Sequence, residues 1–184
     1  MTLNVTAGKT WRASWWRWGM WAGAATLLIL PAVAMRFTRE VNWTGSDFLF
    51  AAILLFGSAG IIDATARSSQ NITYKAGVAI AVGTALLTIW ANGAVGMIGS
   101  QDNPYNLWFL GVVALALIGA IASRFRAKGM VWTMTVAAMV QAALGLAGMS
   151  ADPRGGIFST GFAFLWLLSA ALLRASGSEA EKAR

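Results

Sequence analysis

The stretch AGVAIAVGTALLTIWANGAVGMIGSQDNPYN, residues 76–106, decides the fold. It begins as a long apolar run, passes through the polar turn at residues 99–104, and ends where a second apolar run starts. A helix of about twenty apolar residues is as long as the hydrocarbon core of a bilayer is thick. The stretch therefore predicts two membrane-spanning helices joined by a tight turn.

The composition of the whole chain is typical of a membrane protein. Of its 184 residues, 58% are hydrophobic and only 11% are charged, whereas an average soluble domain is roughly 45–50% apolar and about 25% charged. The apolar residues gather into six blocks, which predict an all-α bundle of six transmembrane helices with short loops. We expect a cytoplasmic or interfacial arm over residues 1–17, a six-helix membrane domain over 18–173, and a solvated, frayed cytoplasmic tail over 174–184.

The distribution of positive charge predicts the orientation of these spans. Six spans place both termini on the same side of the membrane. The ends and loops on that side carry eleven of the fourteen Lys and Arg residues. Because cytoplasmic loops are enriched in Lys and Arg, both termini are predicted to be cytoplasmic. Charges at helix ends also suit the headgroups of membrane lipids, so we expect no nucleic-acid partner.

The absence of two residue types narrows the chemistry. The chain contains no Cys and no His, which excludes thiolate chemistry, a Ser-His-Asp triad and metal sites built on His or Cys. Asp47, Asp102 and Asp152 emerge on the same predicted side, but each lies at a helix start or turn, where Asp is common. We therefore predict no enzymatic activity, no metal site and no cofactor.

Polar residues inside the apolar spans form two rows with a spacing of four. The third span carries Thr84, Thr88 and Asn92, and the fifth carries Thr133 and Gln141. This spacing places each row on one helix face. Since an unpartnered amide in hydrocarbon is costly, both rows should face inward and meet. Two interpretations remain: hydrogen bonding that fixes helix packing, or a polar vestibule open to the outer face.

The loops on the predicted outer face form a second candidate site. Loops often carry the residues that recognise a partner, because they are held at the surface by a rigid scaffold. Those on the outer face offer charged, amide and aromatic side chains: Arg36, Glu40, Trp43, Asp47, Gln101, Asp102 and Asn103.

Several short motifs carry a family resemblance. Arg36-Phe37-Thr38 and Asp47-Phe48 are followed by WANGAVG at residues 90–96 and GSQDNP at residues 99–104. Together they resemble an uncharacterised family of bacterial multi-pass inner-membrane proteins. The resemblance implies a location in the bacterial inner (plasma) membrane and implies no activity.

These observations predict an integral inner-membrane protein that acts as an accessory or scaffold component. Self-association into a homo-oligomer and membership of a larger membrane complex both remain open. The alternative is a small transporter or ligand-binding membrane protein that uses the outward-facing polar vestibule.

Overall fold

The computed structural model describes the backbone of residues 7–182 and the side chains of residues 15–179. Over these residues the chain folds into six α-helices and one short 3-10 helix, with no strand. Six stretches of these residues are long and apolar enough to cross a membrane: five lie within single α-helices, and one, Pro104–Ala122, joins the 3-10 helix to the α-helix that follows it. The predicted all-α, multi-pass fold is therefore confirmed. The helices are α1 (Ala7–Ala34), α2 (Gly45–Ser68), α3 (Ile72–Ala94), the 3-10 helix (Pro104–Asn106), α4 (Leu107–Ala122), α5 (Ala127–Gly148) and α6 (Pro153–Lys182).

The first helix begins earlier than the sequence suggests. Most of the predicted arm is helical, because α1 starts at Ala7 rather than at the first apolar residue of the span. Residues 1–6 of the arm lie outside the described part of the chain, as do the side chains of residues 7–14.

The last helix extends through the predicted tail. We expected residues 174–184 to be frayed, but α6 continues to Lys182. The Glu179 carboxylate accepts hydrogen bonds from Asn71 Nδ2 at 2.9 Å and from Thr73 Oγ1 at 3.2 Å, both at the start of α3. Ser176 is 4% exposed. These contacts explain why the tail stays helical although its composition is polar.

The chain divides into two compact units, residues 1–64 and residues 65–184. In the first unit, Arg17 of α1 forms an ion pair with Asp63 of α2, with Nη2 2.9 Å from Oδ2 and a second bond from Nε to Oδ1. Trp21 stacks on Phe56 with 6.0 Å between ring centroids. Asp63 is 6% exposed, so the guanidinium compensates the charge of a carboxylate that is withdrawn from water.

The second unit holds α3 to α6. Helix α6 packs on α3 and α5, and α4 packs on the same two helices. Helices α3 and α5 therefore lie on a diagonal, with an apolar core between the four helices that includes Trp166, Val112 and Ala137. Helices α5 and α6 approach closely because Gly145 leaves room: a Cβ there would lie 2.7 Å from the backbone nitrogen of Thr160.

We expect Gly145→Ala to destabilise the second unit by about 1–3 kcal/mol, because the added methyl group would force α5 away from the backbone of α6. Gly161→Ala is the matched control, since a Cβ at Gly161 meets nothing within 4 Å, and it should change stability by less than about 1 kcal/mol. Thermal unfolding of both variants in the same detergent measures the difference. Equal unfolding temperatures would show that close packing at Gly145 is unimportant.

Candidate functional site

The segment after α3 folds back into the end of the four-helix unit. We call residues 95–103 the plug. The Met97 and Ile98 side chains are 0% and 1% exposed, and they form an apolar cluster with Phe109 of α4 and Phe162 of α6. The sequence predicted residues 95–98 as the end of the third span and residues 99–104 as a polar turn. The helix instead ends at Ala94, so the expected end of the span is wrong, and Met97 and Ile98 are buried outside any helix.

Two glycines allow the backbone of the plug to turn. Gly96 has φ +81° and Gly99 has φ +68°, both in the left-handed region that glycine adopts readily. A Cβ at Gly96 would also lie 2.6 Å from the backbone oxygen of Ser100. The chain can therefore turn back into the unit at Gly96 only because that residue has no side chain.

Asn106 satisfies the buried backbone of the plug. Its Oδ1 atom accepts hydrogen bonds from the backbone N–H groups of Met97 at 3.1 Å and Ile98 at 2.9 Å. Its Nδ2 atom donates to the backbone oxygen of Ser100 at 2.8 Å. Asn106 is itself 3% exposed. A buried backbone amide without a hydrogen bond costs about 1–3 kcal/mol. By bonding to the plug backbone, the Asn106 side chain removes this cost of burying it.

The two predicted polar rows join through the plug. Asn92 Nδ2 donates to the Asn106 backbone oxygen at 2.9 Å, and Gln141 Nε2 donates to the Ser159 backbone oxygen at 3.1 Å. Ser159 Oγ in turn donates to the Met97 backbone oxygen at 2.9 Å. The prediction that Asn92 and Gln141 face inward is confirmed, since they are 7% and 0% exposed. The expectation that the rows meet directly is wrong, because α3 and α5 are diagonal neighbours.

The threonines of the rows satisfy their hydroxyl groups within their own helices. Thr84 Oγ1 donates to the Ile80 oxygen at 2.7 Å, and Thr88 Oγ1 donates to the Thr84 oxygen at 2.8 Å. Thr133 Oγ1 donates to the Gly129 oxygen at 3.1 Å. Thr84 and Thr88 are 2% and 0% exposed. In this structure these two side chains therefore line no open vestibule.

Among the described side chains of the second unit, three buried polar atoms have no hydrogen-bond partner. They are Asn92 Oδ1 and Gln141 Oε1, which are acceptors, and Trp166 Nε1, which is a donor. Buried polar atoms usually have a protein partner or an ordered water. The two amide oxygens are therefore the places in the closed interior where a small polar molecule would find unused acceptors.

Asp152 ties the plug to the start of α6. Its Oδ2 atom accepts a hydrogen bond from the Gly99 N–H at 2.9 Å, and its Oδ1 atom accepts one from the Gly155 N–H at 3.0 Å. These two hydrogen bonds hold the pKa of the Asp152 carboxyl below its usual value, because they favour the charged form. The bond from Gly155 has the larger effect. The carboxylate thus caps a helix and anchors the plug at once.

Some predicted recognition residues lie in the first unit, in and beside the loop between α1 and α2. Arg36 and Glu40 are exposed. Asp47 accepts hydrogen bonds from the backbone N–H and the hydroxyl of Thr44, both at 2.7 Å, so it caps the start of α2. The Trp43 ring packs edge-on against the phenylalanine five residues later, with 5.2 Å between centroids.

The other predicted recognition residues lie on the plug. Gln101 and Asp102 are exposed at its tip. Asn103 is partly buried: its Oδ1 atom accepts from the Tyr105 N–H at 3.0 Å and its Nδ2 atom donates to the Ile98 oxygen at 3.0 Å. The tip therefore presents two free polar side chains on a backbone that Asn103 helps to hold.

Sequence reasoning missed Asn106 and Ser159 as central residues. Asn106 follows the Asn103-Pro104 cap by two residues, and this second asparagine at a helix start was the available signal. Ser159 gave no signal, because its partner Met97 lies 62 residues earlier.

The candidate site has no matching precedent. Among the residues described, no three Asp, Glu, His or Cys side chains lie close enough to hold a metal ion. Comparison with known proteins finds no matching family model, no matching curated protein and no matching solved structure. Function must therefore be inferred from the geometry of the chain itself.

We expect Asp152→Asn to loosen the plug in a pH-dependent way, because an amide has only one acceptor oxygen for two N–H donors. The folded-state pKa of Asp152 is lowered, so its stabilising contribution is present above the unfolded-state pKa of about 3.9 and is lost as the pH falls through the folded-state value. Thermal unfolding in detergent should show a lower Tm for the variant near neutral pH and a gap that narrows below about pH 4.

The control for this experiment is Asp102→Asn, which changes an exposed carboxylate at the tip of the plug. Its Tm should follow that of the unchanged chain at every pH. A gap for Asp152→Asn that stays constant as the pH falls would contradict the assigned role of the carboxylate.

Proposed function

We propose that the chain is a non-catalytic accessory or scaffold component of the bacterial inner membrane that associates with a second copy of itself through α1. The observation that carries this proposal is that one side of α1 contacts α2 while the opposite side has two glycines with open space beside them. Arg17 and Trp21 contact α2. Gly19 and Gly23 lie on the opposite side of α1, and a Cβ added to either meets nothing within 4 Å.

This free face has the residue types that pack transmembrane helices together. Lipid tails are as apolar as Leu, so helices associate in membranes through close van der Waals packing, and small residues such as Gly allow the closest approach. Thr26, one turn after Gly23 on the same side, is exposed and bonds its hydroxyl to the Ala22 oxygen at 2.9 Å. A Gly-x-x-x-Gly face is self-complementary, which favours a second copy as the partner.

The absence of catalysis in this proposal is supported by how the polar side chains are used. Asn92, Gln141 and Asp152 bond to the backbone of neighbouring segments, and Asp47 bonds to Thr44. Their hydrogen bonds hold turns and helix starts in place. An enzyme would instead direct such groups toward a substrate.

The proposed orientation, with both termini in the cytoplasm, rests on charge. In the second unit, α4 separates the turn that contains Arg124 from the tip that contains Asp102, so the basic turn and the acidic tip lie at opposite ends. Basic loops are retained in the cytoplasm. With the basic turn in the cytoplasm, Gln101 and Asp102 would lie on the outer face, where they would be available for recognition. The resemblance to bacterial inner-membrane proteins supports the choice of membrane.

A small transporter or ligand-binding protein is the second candidate. It is favoured by the unpartnered Asn92 Oδ1 and Gln141 Oε1 atoms, which a polar ligand could occupy. Because both side chains are buried, this function requires the plug to move so that a ligand can enter.

The test of self-association uses protein extracted with its surrounding lipids into polymer-bounded membrane particles. The unchanged chain should be a dimer by mass. Gly19→Ile with Gly23→Ile should yield monomers, because the added side chains prevent close approach of two α1 helices. The matched control is Gly111→Ile with Gly161→Ile, which fills two positions where a Cβ also meets nothing within 4 Å and should leave the dimer intact.

Two results would contradict the proposal. One is a monomeric unchanged chain, and the other is a dimer that survives both substitutions in α1. Loss of the folded state in the α1 variant, measured by its Tm, would show that the Gly19 and Gly23 face packs within a single chain instead.

A further inference from the structure

Two crevices open at the end of the second unit opposite the plug. Lys128 and Trp132, one turn apart on α5, line both of them and form a ridge between them. The first crevice, of about 570 Å³, lies between this ridge and the turn after α4, which contributes Arg124 and Arg126. The second, of about 610 Å³, lies between α5 and α6, where Arg174 lines it.

The crevices are strongly positive. Among the residues described, no carboxylate lines them. The four cationic side chains that do are Arg124, Arg126, Lys128 and Arg174. None of the four forms an ion pair with any described residue. The neighbouring carboxylate of Glu179 is already bonded to Asn71 and Thr73 at the start of α3. The positive charge at this end is therefore uncompensated within the described structure.

The turn that carries the first two cations is held in an uncommon conformation. Arg124 and Phe125 have φ values of 52° and 57°, and non-glycine residues adopt this left-handed region only rarely. Tyr74 donates its hydroxyl hydrogen to the Phe125 backbone oxygen at 2.6 Å, and the Phe125 N–H donates to the Ala120 oxygen at 2.9 Å. Such strain persists where surrounding contacts enforce it, and it is frequent at binding sites.

The start of α5, beside the same crevice, has no side-chain cap. Arg126 occupies the N-cap position without a capping hydrogen bond, whereas Asn71 caps α3 and Asp152 caps α6. The N–H groups in the first turn of a helix attract anions, because they are unpaired and lie at the positive end of the helix dipole. Cations and free N–H groups thus point to the same kind of ligand.

We propose that these crevices bind the phosphodiester headgroup of an anionic phospholipid. Arg124, Arg126 and Lys128 would donate hydrogen bonds to the phosphate oxygens, a strong charge-assisted contact. The acyl chains would run past Trp132, which is 68% exposed, at the depth where indole rings lie in membranes.

The apolar surface beside the ridge favours a lipid over a soluble anion. Trp132, Val136 and Met139 follow one another at helical spacing on α5, and they are 68%, 36% and 58% exposed. An acyl chain can cover this stripe, and a free phosphate ion cannot. Basic pockets beside transmembrane helices suit anionic headgroups for the same reason.

The test measures lipid binding by the detergent-solubilised full chain, from the dependence of its Tm on added lipid. Phosphatidylglycerol should bind roughly tenfold or more tightly than phosphatidylcholine, which has the same phosphodiester but no net charge. Replacing Arg124, Arg126 and Lys128 together with Gln should weaken phosphatidylglycerol binding by at least about tenfold. The matched control replaces Arg36, Arg39 and Arg154 with Gln, which removes the same charge elsewhere and should leave binding unchanged.

Three outcomes would overturn the proposal. Equal affinity for the two lipids would remove the charge requirement. Equal weakening by the control substitutions would show a diffuse effect of net charge. Displacement of phosphatidylglycerol by inorganic phosphate at a similar concentration would indicate a site for a soluble anion. If the triple variant does not fold without lipid, the single Lys128→Gln variant, which alters both crevices, supplies the same comparison.

Discussion

Two buried backbone amides, those of Met97 and Ile98, set the constraint on which the second unit depends. Each would cost about 1–3 kcal/mol if left without an acceptor, and the side chain of Asn106 accepts from both. This contact lets apolar side chains of a loop enter the end of the helix unit. The same segment then becomes the acceptor for Ser159 of α6 and a donor to Asp152. Asn106, Ser159 and Asp152 together therefore hold the ends of α3, α4 and α6 to a common piece of backbone.

The plug changes what the polar rows can do. Asn92 and Gln141, which could have lined an entrance, donate to the backbone of Asn106 and Ser159, the two residues that bond to the plug, and each retains one unused oxygen. Among the described residues, surface features available to other molecules include the tip at Gln101 and Asp102, the glycine face of α1, and the cationic crevices at the end of the second unit opposite the plug. Recognition at surfaces is the kind of function that this distribution favours.

The sequence was most informative where the cause of structure is local. Six apolar blocks predict six helices because length and hydropathy are properties of short segments, and the cost of a buried amide correctly predicts that Asn92 and Gln141 face inward. The plug could not be predicted, since burial of Met97 depends on Asn106 nine residues later and on Ser159 sixty-two residues later. The helical tail depends likewise on a distant contact, from Glu179 to the start of α3.

The closed plug is tested most directly by whether a chemical reagent can reach Thr88, a buried residue of the polar row on α3. Because the chain has no cysteine, a single Thr88→Cys substitution reports on this buried position, and Gln101→Cys reports on the exposed tip. In detergent, a maleimide reagent should modify Gln101→Cys rapidly and Thr88→Cys only after unfolding. Adding Asn106→Ala should accelerate modification of Thr88→Cys by roughly tenfold or more, since the plug loses hydrogen bonds worth about 1 kcal/mol each. Equally rapid modification of both single-cysteine variants would contradict a closed plug and would indicate an open vestibule.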